Sequence, residues 1–237
     1  MAGIVFIISA PSGSGKSTLV SELKKTVPHL EFSVSYTTRQ PRGSEQDGVE
    51  YCFVTREKFE EMIAEDAFLE HAEVFGNYYG TACHFLQDAR EKGNDLLLDI
   101  DVQGAAQLRE KIPDAVSIFV LPPNKVTLER RLRSRSQAEH VDDDGIIRRR
   151  LEKARDEIGN YPAYSYILVN DRLDQAVDEL VAIVWAERLK REGPESAKIA
   201  AEAAANYNRL AAGCRQGNNL RIFPVLQSFE IAGHRAV

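Results

Sequence analysis

A chain of 237 residues, 43% hydrophobic and 28% charged, can bury a sizeable core yet is short for two full domains, so one body with small inserted lobes is expected. Its net charge of −6 excludes the basic footprint of a general nucleic-acid or membrane-surface binder. Cys52, Cys83 and Cys214 are far apart and odd in number, which fits reduced thiols in a cytoplasmic protein better than a disulfide frame or a zinc site.

The chain opens on "IVFIIS", an apolar run without alternation, as in a strand covered on both faces. It is too short to span a membrane and lacks the basic flank of a signal peptide. Glycines follow, then "KSTLVSELKK" with helical spacing at Leu19 and Leu23. Similar apolar runs recur at "DLLLDI" (95–100), "VSIFVL" (116–121) and "YILV" (166–169), separated by charged segments of helical character. That alternation predicts an α/β fold with a parallel sheet flanked by helices.

Two stretches differ in texture. From residue 33, alternating β-prone and polar residues, then "TREKFEEMIAED", then "FLEHAEVFGNYYG" predict an inserted lobe, about 33–95, with strands and one helix. From about 124 to 158, Asn124 is a candidate cap for a helix through "VTLERRLRSR", which breaks at "SQAEHVDDDG" and resumes at "IIRRRLEKARDEI". Between Lys125 and Arg155 ten basic residues face six acidic ones, as in either a solvated helix face or a cationic lid. A closing helix is expected after Asp171, its candidate cap, with Leu173, Val177, Leu180 and Val184 on one face. The core is thus expected over 1–192. Residues 193–237 form an extension to which no role is assigned: an alanine-rich helical tract, a polar turn, and "LRIFPVLQSF", read as an added edge strand.

The residues Ala10, Pro11, Ser12, Gly13, Ser14, Gly15, Lys16, Ser17 and Thr18 follow the first strand and open the first helix. From Gly13 onward they have the spacing of a phosphate-binding P-loop, in which backbone N–H groups, an ammonium and a metal-binding hydroxyl surround a nucleotide phosphate. Ala10 stands where the strict pattern has its first glycine. Phosphate brings Mg2+, for which Ser17 offers one oxygen; "LLLDID" offers Asp99 and Asp101, two apart on one side of a strand, as carboxylate partners. In "SVSYTTRQPRGSEQDGVEY", Arg39 and Arg42 bracket a proline near Ser35, Tyr36, Glu45 and Tyr51, a set suited to a second anion.

The set "SAPSGSGKST", "SYTTRQPR", "DGVEY", "GNYYGT", "LLDIDVQG" and "RLRSR", in this order, closely resembles bacterial guanylate kinase over about residues 3 to 191. The resemblance implies transfer of a phosphoryl group from ATP to GMP with Mg2+, and no nucleic-acid or membrane partner; a homo-oligomer stays open. It implies that Ser35, Arg39, Arg42, Tyr51 and Tyr79 hold the GMP phosphate, with Glu45 near this pocket. Glu70, Thr81 and Asp101 would read guanine, whose N1–H and exocyclic amine are donors that carboxylates accept from, whereas adenine has no such pair. Ser17 and Asp99 remain for the metal. Arg131, Arg135 and Arg150 would close over ATP beside Lys16, with Arg148 and Arg149 as rivals for the last place. Such a reaction needs positioning and charge neutralisation, and no dedicated general base is expected. The alternatives are another small-metabolite kinase, a silent scaffold module and a P-loop hydrolase switch.

Overall fold

The computed structural model describes residues 3–138, 143–192 and 201–231, in two compact units: Met1–Ser9 with His29–Ser117, and Ala10–Pro28 with Ile118–Val237. In chain order the elements begin β1 (Val5–Ser9), α1 (Lys16–Thr26), β2 (Leu30–Phe32), β3 (Tyr36–Thr37), β4 (Cys52–Phe53) and α2 (Arg56–Ala64). They continue with β5 (Phe68–Val74), β6 (Asn77–Ala82), α3 (His84–Lys92), β7 (Asp95–Asp99), α4 (Val102–Lys111), β8 (Val116–Leu121) and α5 (Lys125–Ala138). The last are α6 (Asp144–Ile158), a 3-10 turn (Tyr161–Ala163), β9 (Tyr166–Val169), α7 (Leu173–Glu192), α8 (Ala201–Cys214) and α9 (Ile222–Ser228).

In the first unit, β1 and β2 both pair in parallel with β7, Val5 opposite Leu96 and Leu30 opposite Asp95. All of β1 is buried, which explains its unbroken apolar run: both faces of a parallel strand are covered. The Asp95 carboxylate ties the start of this sheet by accepting from Ile4 N–H at 2.6 Å. The inserted lobe is a second sheet of order β4-β3-β6-β5, in which β6 runs antiparallel to both neighbours. Thr55 caps α2 by accepting from Lys58 N–H, and the helix buries Phe59 and Met62 on this sheet. Phe59 stacks on Phe68 with ring centroids 4.4 Å apart and on Tyr78 at 5.3 Å, and these rings centre the lobe's own core. The outer strand β5 is covered by α4.

In the second unit β8 pairs in parallel with β9, Ile118 opposite Tyr166, and both strands are buried throughout. Asn124 caps α5 as its side chain implied, accepting from Thr127 N–H at 2.8 Å. The expected break begins three residues later than read: α5 runs to Ala138, and α6 starts where the Asp143 carboxylate accepts from Gly145 N–H at 2.6 Å. Residues 139–142 of that turn lie outside the described residues, as do 193–200 and 232–237 of the extension. Arg133 joins the two helices by donating to Asp144 at 2.6 Å while also bonding Glu129.

The face assigned to α7 is broader than the four residues named. Leu173 is 43% exposed, while Ala176, Leu180, Val181, Ala182, Ile183, Val184 and Ala186 are buried, because α8 packs along the same helix. Trp185 stacks on Tyr207 of α8, nearly coplanar at 15°. Asp171 lies two residues before α7, and Ala176 N–H bonds the carbonyl of Arg172, so Asp171 is not the cap.

The reading of "LRIFPVLQSF" as an edge strand is overturned: it forms α9, with Ile222, Val225, Leu226 and Phe229 buried. Those residues fall at helical spacing, i, i+3, i+4 and i+7, and Pro224 sits in the first turn, where its missing N–H costs nothing. The β9 edge is met instead by an isolated antiparallel bridge, Tyr166 to Arg215, and by the Asn219 side chain donating to Ile167 O at 2.7 Å. Arg221 pairs with the buried Glu179 of α7 and donates to Val169 O at 2.8 Å. The described part of the extension is therefore built into this unit's core.

Candidate active site

In the second unit, the residues from Ala10 to Gly15 turn tightly into α1. Gly13 and Gly15 both have left-handed backbones, φ 87° and 89°, which L side chains rarely adopt. Space forbids a side chain at Gly15 as well, since a Cβ there would lie 2.3 Å from Asn170 Nδ2. Ser14 N–H bonds Pro11 O at 3.1 Å, and Ser14 O accepts from Asn170 Nδ2 at 2.8 Å and from Arg131 at 3.3 Å. With the loop's carbonyl turned to these donors, Lys16, Ser17 and Thr18 form the first turn of α1, whose helix-start N–H groups and dipole favour an anion. Lys16 is half-buried; Ser17 and Thr18 are exposed.

Arg131 is thus brought to the loop, donating also to Asn170 O at 3.2 Å. Burial, then the neighbouring Arg130, weaken its hold on the proton, with Asp171 opposing. Arg150 reaches across to α5, donating to Ser136 Oγ at 3.3 Å, while Arg148 and Arg149 are exposed and Arg149 bonds its own helix at Gly145 O. Arg135 is exposed on α5. Asn170 was not singled out from sequence; its signal was an amide immediately after a buried apolar strand, where α/β folds place ligand contacts.

In the first unit Arg39 is buried, 8% exposed, with Glu45 Oε2 2.9 Å from its Nη2 and Gln40 O accepting at 2.7 Å. Burial opposes the charge, but Glu45 and Tyr79 outweigh it, so Arg39 holds its proton more tightly than usual. Its guanidinium lies 5.2 Å from the centre of the Tyr51 ring, and Tyr51 meets Tyr79 edge-on at 5.9 Å. Glu45 also accepts from Arg42 N–H at 2.8 Å, so it shapes the arginine turn; the Arg42 side chain is exposed. Ser35 is half-buried before β3, its carbonyl accepting from Cys52 N–H at 2.9 Å.

Glu70 on β5 and Thr81 on β6 are opposed in the antiparallel pair, and the Thr81 hydroxyl donates to Glu70 Oε1 at 2.7 Å. Glu70 is 3% exposed. Burial raises its pKa to about 7; the Thr81 bond lowers it, and the charge of Asp101 raises it further. Asp101 corrects the expectation of two carboxylates on one strand. The strand β7 ends at Asp99, half-buried, and Asp101 is the N-cap of α4, accepting from Gln103 N–H at 3.1 Å and Gly104 N–H at 2.9 Å.

The chemistry available is therefore a helix-start anion cradle with a lysine and an arginine in one unit. The other unit offers a buried arginine over the Tyr51 and Phe53 rings and a buried carboxyl–hydroxyl pair near a capping carboxylate.

The profile of the guanylate kinase family matches residues 3–187. A guanylate kinase of Koribacter versatilis is 56% identical over 232 residues, covering 98% of each chain. That of Escherichia coli K12 is 50% identical over 190 residues, 79% of this chain and 90% of its own. The crystal structure of guanylate kinase from Anaplasma phagocytophilum superposes with a TM-score of 0.66 at 35% identity, covering 79% of this chain and 87% of that one.

Proposed function

This chain belongs to the guanylate kinase family and is an ATP-dependent kinase of GMP with the family's α/β P-loop fold, and we propose the following division of roles among its residues. Glu70 and Asp101 accept from the N1–H and amine of guanine, with Thr81 fixing Glu70 and completing the base contact. The observation that carries this is the Glu70–Thr81 pair: a carboxyl of 3% exposure, fixed by the Thr81 hydroxyl at 2.7 Å, is costly to ionise where it stands, so a substrate donor that meets it is favoured. Ser35, Arg39, Arg42, Tyr51 and Tyr79 take the GMP phosphate, and Glu45 keeps Arg39 in place.

At the other substrate, the amides from Gly13 to Thr18 and the Lys16 ammonium hold the ATP phosphates, while Arg131, Arg135 and Arg150 neutralise charge on the moving group. Arg131 is already anchored to the loop through Ser14 O. Ser17 hydroxyl and Asp99 carboxylate are hard oxygen donors of the type Mg2+ takes, and among the described residues no cluster of three or more His, Cys, Asp or Glu cages a metal. The remaining ligands would then be phosphate oxygens and water. Bound Mg2+ would withdraw charge from the phosphates; the protein's residues bind, orient and exclude water.

No helix among the described residues is long and apolar enough to cross a membrane. The cysteines are unpaired, as in a reducing cytoplasm, where we place the protein. A coupled assay with ATP, Mg2+ and each of GMP, AMP, UMP and CMP tests the reading: GMP should be preferred by at least about 10²-fold in kcat/KM, and equal use of AMP would overturn it.

A further inference from the structure

The strand β5 is the outer strand of its sheet, so the backbone groups on its open side need partners from elsewhere. Two side chains of α4 supply them on both sides of Glu70. Gln107 Nε2 donates to His71 O at 2.7 Å while His71 N–H donates back to Gln107 Oε1 at 3.3 Å, and Lys111 Nζ donates to Leu69 O at 2.7 Å. The Gln107 amide thus replaces the strand that is missing beside residue 71.

Between these clips and the Asp101 cap, α4 leaves no room at position 104. A Cβ on Gly104 would lie 2.1 Å from Glu70 Oε2 and 2.8 Å from its Cδ. The glycine is required by space, because its backbone is helical and does not have a positive φ. A glycine inside a helix weakens it relative to alanine, so this position departs from what the helix alone would favour. It gives the Glu70 carboxylate a floor of bare backbone.

We propose that Gly104 and Gln107 are positioning residues for guanine recognition: Gly104 makes room for the Glu70 carboxylate, and Gln107 fixes the strand that carries it. This rests on the reading of Glu70 as a guanine acceptor. An added methyl at 104 meets the far end of a flexible side chain, so the fold tolerates it while the carboxylate is pushed aside.

The test is a cycle of Gly104→Ala, Glu70→Ala and the double variant, with KM and kcat for GMP, KM for ATP and thermal melting. Gly104→Ala should raise KM for GMP about tenfold or more, leave KM for ATP unchanged, and add nothing once Glu70 is alanine. In the Glu70→Ala background the same substitution should raise the melting temperature, since only the helix then responds to it. An equal effect of Gly104→Ala in both backgrounds, or none in either, overturns the proposal. If Glu70→Ala itself leaves KM for GMP unchanged, the acceptor reading has failed, which is a different result from an inert Gly104→Ala beside a damaging Glu70→Ala. Gln107→Met, equal in length and unable to clip His71, is the second probe; it should raise KM for GMP with ATP use intact, and a normal KM counts against the proposal even if Gly104→Ala does not fold.

Discussion

Replacing Glu70 by glutamine separates what the carboxylate costs the fold from what it gives the substrate. Burial above all lifts its pKa from 4.5 to about 7, and at 1.36 kcal/mol per tenfold change in proton affinity the ionised form is disfavoured by about 3 kcal/mol. The folded-state value lies above the unfolded one, so the folded protein keeps a proton that the unfolded chain gives up. The stabilisation from that neutral carboxyl is complete below pH 4.5 and is lost as pH rises to about 7 and beyond. Glutamine never ionises. Urea unfolding followed from pH 5 to pH 8 should show the wild type losing about 2–3 kcal/mol relative to Glu70→Gln, with the variant the more stable at pH 8. If Glu70 accepts from guanine as proposed, GMP needs the ionised carboxylate, so wild-type KM for GMP should rise about tenfold from pH 8 to pH 6, while that of the variant is high throughout. Subtracting the variant's profile removes the titration of the nucleotide itself. Stability curves that run parallel across this range would refute the buried-carboxyl reasoning.

Lys16→Ala should lower kcat by about 10²-fold or more with an unchanged melting temperature, because the proposed place of the ammonium is at the phosphates and not in the core; stopped-time assays at saturating ATP read it. Gly15→Ala adds a Cβ 2.3 Å from Asn170 Nδ2 at φ 89°, and should cost about 1–3 kcal/mol of stability along with ATP binding, read by thermal melts with and without nucleotide. Arg39→Lys keeps the charge but loses the planar fork between Glu45 and the Tyr51 ring, so KM for GMP should rise at least tenfold with ATP affinity unchanged. Arg221→Ala leaves Glu179, 5% exposed, without its arginine and should cost about 2–4 kcal/mol in urea unfolding, while KM for GMP stays put.

What could be read from the sequence was local in the chain. The cradle at 10–18 is one contiguous strand, turn and helix, and the buried strands β1, β8 and β9 announced themselves as short runs covered on both faces. The Arg39 pocket was half legible: residue types near 35–51 suggested an anion, but that Glu45 would hold Arg39 depends on how the turn closes. Two misreadings had signals that were outweighed. Asp101 stands directly before "VQGAAQLREK", the position of a helix cap, yet its spacing from Asp99 matched a strand. In "LRIFPVLQSF" the β-prone residues masked a helical i, i+3, i+4, i+7 face that only α7 and β9 make useful.

The proposed guanine end of the site was least legible for a physical reason. Glu70, Thr81 and Gly104 lie on three elements, and what joins them is a 2.7 Å bond and a 2.1 Å exclusion, neither of which leaves a periodic mark in the chain. A glycine within "DVQGAAQL" reads as a weak point in a helix when only α4 is considered. Placed beneath a buried carboxyl, the same glycine decides where an acceptor oxygen can stand. Local propensity is given up at position 104 for the geometry of a residue 34 positions earlier, and that exchange is visible only once β5 lies on α4.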